Sequence, residues 1–151
     1  MISGPPGTKD FVEYLVKAFS YDIAVRTRTP GGEGLHREWL VPDVEEIEEG
    51  WTSSGSDWQL KAFRVDHVQV DEAFGFRFEA PGGSIVISGD TRRSENLIEK
   101  AQDADLLVHE VIRFRPEDIK DPWAAARREA INTYHTASTD VGKIATDARA
   151  K

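Results

Sequence analysis

Three apolar runs in this sequence end in residues that can bind a metal or move a proton. Leu60, Ala62, Phe63 and Val65 lead into Asp66 and His67. The run SIVIS leads into Gly89, Asp90 and Thr91, and DLLVHEV carries His109 and Glu110. His135 stands in the later segment HTAS. Neutral imidazole and carboxylate together suit a borderline divalent ion such as zinc or manganese, and a carboxylate can bridge two ions. A metal pair of that kind activates water and clamps both oxygens of a displacement. Taken singly, a His or Asp at a strand end is more often a hydrogen-bonded structural residue; the cluster points to chemistry. The chain has no cysteine, which excludes disulfides and thiolate ligands, and it has no Gly-x-Ser-x-Gly elbow.

Strands and helices must alternate to place these residues. AFGFRFE alternates apolar and polar and predicts a half-exposed strand, closed by the Pro81-Gly82-Gly83 turn. SIVIS and DLLV read as short buried strands. Ser94 caps a predicted helix running to about Ala101 or Asp103, with Leu97 and Ile98 inward. A second helix starts at Pro122, a residue suited to a first turn, and runs to Ile131. A third covers Ser138 to Ala150, with Val141, Ile144 and Ala145 inward. Near the start, Pro5-Pro6-Gly7 forms a turn before a helix over Thr8–Ser20 capped by Thr8. Its stripe of Phe11, Val12, Leu15, Val16 and Phe19 is expected to face the core. The alternation predicts an α/β or α+β fold.

Two segments invite other readings. GPPGTKD resembles the opening of a phosphate loop, but Lys9 is followed by Asp10 and Phe11 rather than by Ser or Thr, and no apolar strand precedes it. The nucleotide loop is rejected. Residues 27–57 are rich in Gly, Asp, Glu and Ser and read as an acidic surface excursion.

Composition narrows the function classes. A length of 151 residues suits one domain over 1–151. The formal charge of −8 argues against a tight, nonspecific nucleic-acid binder, which needs a basic face. The tryptophans are scattered, and only Trp123 has an arginine pair, Arg127 and Arg128, close downstream. No apolar run approaches the roughly 20 residues of a membrane span, and the first residues lack a signal-peptide pattern. A cytoplasmic protein is expected.

The phrases FRVDHVQVDEAFGFRFE, ISGDTRRSENLIEKAQDADLLVHEV and HTASTDVGKIA, in that order, resemble the ribonuclease Z and arylsulfatase-like branch of the metallo-β-lactamase superfamily. The resemblance covers Trp58 to Lys151, and GPPGT with its helix fits the segment after that family's first metal motif. It implies the C-terminal half of an αββα sandwich, with a mixed sheet and flanking helices. It also implies roles. His67 would ligate one metal, and Asp90 would bridge two zinc ions. His109 and Glu110 would form a loop supporting the site. His135, oriented by Glu110, would transfer a proton near the scissile bond, which suits an imidazole that titrates near neutral pH.

The sequence departs from that pattern in two places. No His-x-His-x-Asp-His motif precedes GPPGT, and the family's last histidine would fall after Lys151. His36 sits in no recognisable motif. Only His67 and Asp90 are then expected as ligands, too few for a zinc site, which takes at least three protein ligands. The first expectation is a di-zinc hydrolase of phosphodiesters or sulfate esters, with a small ester or phosphodiester substrate. The alternatives are a non-catalytic module of the same fold that associates with a partner chain, and a tRNA 3′-processing endonuclease. His67 and Asp90 are 23 residues apart, and the stretch between them lacks the basic Pro-x-Lys-x-Arg loop of short-form ribonuclease Z, which favours the general hydrolases over the tRNA-processing members. An incomplete sandwich leaves a sheet face to cover, so a homo-oligomer or a missing N-terminal half is expected.

Overall fold

The computed structural model describes residues 1–28, 40–115 and 121–151. They form two compact units, Met1–Ile47 and Glu48–Lys151. His36 and Trp39 lie outside the described residues, as does the 29–39 part of the expected acidic excursion.

In the first unit, β1 (Ile2–Gly4) pairs in parallel with β2 (Val44–Glu46), and α1 (Thr8–Ala18) packs against β2. Helix α2 (Ser20–Arg28) follows at once, where the sequence pattern showed no second helix. Thr8 is not the cap of α1. Gly7 holds that position with a left-handed backbone, and Glu46 supplies the acceptor. Its Oε1 takes hydrogen bonds from Gly7 N at 2.7 Å and Lys9 N at 3.1 Å. A carboxylate there satisfies free N–H groups and opposes the helix dipole. The Thr8 hydroxyl instead donates to Pro5 O at 2.6 Å. The expected core-facing stripe is also only partly realised. Val12 is buried, whereas Phe11, Leu15 and Phe19 are exposed and line an open apolar groove with Ile2, Ile23, Leu40 and Pro42.

The second unit is built on a five-stranded sheet ordered β3 (Thr52–Ser54), β4 (Gln59–Arg64), β5 (Phe74–Ala80), β6 (Gly83–Ile87) and β7 (Leu106–Val108). Strands β3 to β6 are antiparallel neighbours, and β7 joins β6 in parallel. The β5–β6 hairpin closes through Pro81 and Gly82, with Ala80 opposite Gly83, as its turn residues predict.

Helix α3 (Glu95–Lys100) starts at Ser94, whose side chain accepts from Leu97 N, and buries Leu97 and Ile98. Helix α4 (Pro122–Asn132) has Pro122 in its first turn and Asp121 as its cap. Helix α5 (Val141–Asp147) is shorter than the pattern predicted and buries Ile144. Phe63, Val65, Val86, Leu97, Ile98, Ala101, Ala104, Ile144 and Ala148 make one continuous core.

That core lies on one face of the sheet. Ile85, Ile87, Leu106 and Val108 alternate with the core residues and remain 36–49% exposed. SIVIS and DLLV are therefore one-sided strands, not strands buried on both faces. An apolar run inside a parallel pair normally signals cover on both sides. Among the described residues, only one side has it. This mixed sheet with helices on one face corresponds to the expected half-sandwich.

Candidate metal centre

Strand direction gathers the candidate residues. β4 and β6 both run antiparallel to β5, so they point the same way, and β7 is parallel to β6. The C-terminal ends of β4, β6 and β7 therefore share one edge of the sheet. His67 follows β4, Asp90 follows β6, and His109 and Glu110 follow β7. A parallel bridge between Ile112 and Ala137 brings the HTAS segment to the same edge. Thr136 O accepts from Ile112 N at 2.9 Å, and Ser138 N donates to Ile112 O at 3.1 Å.

Gly89 makes the exit from β6 possible. Its φ is +63°, and a Cβ there would sit 2.4 Å from Phe74 O. Glycine is required on both counts. Thr91, the residue after Asp90, is fully buried. Its Oγ1 accepts from Asp66 N at 3.1 Å, which fastens the Asp90 loop to the His67 loop. Arg92 reinforces the join by donating from its backbone N to Asp66 O at 3.0 Å and from Nε to Asp66 Oδ2 at 2.8 Å.

Glu110 ties in the third loop. Its Oε1 accepts from Thr136 N at 2.9 Å, from Thr91 N at 3.3 Å and from His135 Nδ1 at 3.2 Å. A carboxylate facing Nδ1 makes that nitrogen the donor and leaves Nε2 with its lone pair. The Glu110 backbone is held in turn by the Ser88 hydroxyl at 2.9 Å.

His67, Asp90 and His135 meet in the space these loops enclose. Each offers one ligand atom, and the three atoms lie within 4.8 Å of one another. The two histidine rings are 5.4 Å apart at 82°, and Tyr134 touches both, at 5.1 and 4.9 Å. Nδ1 of His67 is buried and has no hydrogen-bond partner. A buried polar atom without a partner is costly, and a metal ion would relieve it. The His-Asp-His donor set is one that zinc accepts. On donor type and on this orphaned nitrogen, the residues present fit a metal ion.

The group thus has three donors where spacing along the chain pointed to two. His109 is not among them. Its Nδ1 lies 2.6 Å from Glu110 O, and its Nε2 is buried without a partner. Sequence reasoning passed over Thr91, Thr136, Tyr134 and the Asp66–Arg92 pair. The first three were visible as parts of GDT and YHTA, next to residues already singled out.

Ribonuclease Z of Mycolicibacterium gilvum is 34% identical over 150 residues, which is 97% of this chain and 49% of that protein. A putative ribonuclease Z of Mycobacterium tuberculosis is 34% identical over 149 residues, 95% of this chain and 62% of that protein. The chain is homologous to ribonuclease Z and has the metallo-β-lactamase fold, as in the YhfI protein of Bacillus subtilis (TM-score 0.52, 16% identity, covering 74% of this chain and 41% of that one). The human short-form tRNase Z crystal structure superposes with a TM-score of 0.60 at 20% identity, covering 99% of this chain and 56% of that one, and so shows the superfamily fold. No protein-family model matches the sequence. The chain spans about half the length of the curated relatives it matches. Among the described residues, no helix is long and apolar enough to cross a membrane.

Proposed function

We propose that this chain carries one portion of a metal-dependent phosphodiesterase site that processes RNA, as the ribonuclease Z name of its relatives indicates. The observation that carries the proposal is the meeting of His67, Asp90 and His135 within 4.8 Å, with Glu110 behind His135. The relatives' name supports tRNA processing ahead of the small phosphodiester or sulfate ester that the short His67–Asp90 spacing favoured.

His67 and Asp90 would hold the ion, with His135 in reach as the third donor. A bound divalent ion such as zinc supplies Lewis acidity toward a phosphoryl oxygen. Glu110 orients His135 by accepting from Nδ1, so that Nε2 faces the reacting groups and can hold or release a proton there. Tyr134 packs against both imidazoles and restricts their rotation. Arg92 fixes Asp66, and through it the backbone that presents His67.

Cobalt(II) titration followed by visible absorption, paired with cleavage of a 3′-extended tRNA precursor, tests this reading. His67→Ala and Asp90→Ala should each lose the cobalt signal. His135→Ala, which removes the third donor, should weaken it and lose cleavage. Metal uptake indifferent to both His67→Ala and Asp90→Ala would sink the proposal.

A further inference from the structure

Apart from Arg115, the arginines of the second unit fall into two sets. Arg64, Arg77, Arg92, Arg93 and Arg149 each form an ion pair with a carboxylate. Arg113, Arg127 and Arg128 form none among the described residues. Two ring contacts bring Arg127 and Arg128 close to the stretch of chain that carries Arg113. Arg128 lies over the Phe114 ring at 5.5 Å, which places α4 beside the Arg113–Phe114 backbone. Arg127 lies over the Trp123 ring at 5.3 Å, one turn away on the same helix.

Trp123 is 68% exposed, although tryptophan is usually well buried. Helix α4 has no buried residue at all. Packing therefore does not explain its apolar ring or its unpaired guanidinium groups. An open indole face beside an uncompensated guanidinium is what a single nucleic-acid strand requires: a plane for a base and a cation for the neighbouring phosphate.

The surface also leads to the site. Helix α4 ends at Asn132, three residues before His135. At about 1.5 Å per residue, Trp123 lies about 14 Å from Asn132 along the helix. That distance is on the order of four nucleotides at a stacked rise of about 3.4 Å. On the other side, Arg113 follows Ile112, whose backbone is bonded to Thr136 and Ser138 on either side of Ala137.

We propose that Trp123, Arg127, Arg128 and Arg113 form a binding surface for single-stranded RNA running away from His135. This rests on the RNA-processing reading above and adds to it the part of the surface that grips the strand. The net charge of −8 is a sum over the whole chain and is compatible with a local basic patch.

The test is fluorescence anisotropy of a short labelled single-stranded RNA with the full chain, in EDTA, across a salt series. Wild type should bind with a clear salt dependence. Trp123→Ala should weaken binding about tenfold at every salt concentration, and Trp123→Phe should recover most of it. The triple variant Arg113→Gln, Arg127→Gln, Arg128→Gln should lower the slope of log affinity against log salt by about 2, at about 0.7 per phosphate contact. Arg149→Gln, which removes an exposed guanidinium already paired with Asp103, should bind like wild type. The substituted residues are exposed except for the half-buried Arg128, and thermal unfolding checks that the variants fold.

Equal affinity and slope for wild type and the triple variant would overturn the proposal. So would tighter binding of an acidic peptide than of the RNA. If RNA binds through this surface while the His67 group takes up no metal, the functional reading fails and this one stands. If the metal is bound normally and the triple variant grips RNA as wild type does, this one alone fails.

Discussion

Thr136 donates its hydroxyl hydrogen to the backbone carbonyl of Thr91 at 2.9 Å, and both residues are buried. The bond links the residue after Asp90 to the residue after His135. It therefore sets the separation of two members of the metal group, though neither threonine belongs to that group. Replacing Thr136 with valine keeps the volume and removes the donor. We expect a loss of about 1–2 kcal/mol in stability, because a buried carbonyl loses a partner. Metal affinity should fall as well, and Thr136→Ser should restore both. Urea unfolding and cobalt titration of the three proteins measure the two effects. Unchanged cobalt affinity in Thr136→Val would show that the bond only stabilises the fold.

Glu110 carries a heavier share. One oxygen accepts from two backbone N–H groups and from His135. Glu110→Ala strands the two amides, and we expect a loss of about 3 kcal/mol. Glu110→Gln keeps an acceptor oxygen and should fold. It replaces a carboxylate with a weaker partner for His135, so cleavage should drop about tenfold or more. Full activity in Glu110→Gln would remove the orienting role.

The uncovered sheet face makes a contrasting prediction. Leu97 is fully buried, and Leu97→Ala should cost about 3 kcal/mol by opening a cavity in the core. Leu106 is of the same type and sits in the same unit, but it is 48% exposed, so Leu106→Ala should cost less than about 1 kcal/mol. Chemical denaturation of the two variants measures the difference. Similar losses would mean that the Leu106 face is covered in solution.

Asp105 makes the stability depend on acid. The Lys151 ammonium, with the backbone N–H and hydroxyl of Ser84, holds its carboxyl at about 2, below an ordinary 3.8. A depressed carboxylate pKa stabilises the folded chain above the unfolded value, and that contribution disappears as pH falls through the folded value. The contribution should be complete above about pH 5 and should be lost as the pH falls through about 2. Urea midpoints of wild type and Asp105→Asn should therefore converge as the pH drops through that window. A gap independent of pH would refute the assignment.

Much of the site was legible in order but not in space. The local signals were sound where they concerned one turn of chain. Ser94 does cap α3, Pro122 does open α4, and Leu97, Ile98 and Ile144 do point inward. These features depend on neighbours within a few residues, and the spacing records them. The cap of α1 was misread because its acceptor, Glu46, is 39 residues from Gly7. No local pattern carries that information.

The sequence by itself determined which side chains could bind a metal or transfer a proton, and that they follow apolar strands. It also carried phrases long enough to resemble ribonuclease Z, to which the relatives show the chain is similar. Only the tertiary structure decided that His135 joins His67 and Asp90, because that depends on parallel β6–β7 pairing and the Ile112–Ala137 bridge. Only the structure decided that Ile85, Ile87, Leu106 and Val108 lack cover. Apolar periodicity says which residues gain by leaving water; which surface they meet depends on long-range contacts that no segment encodes alone.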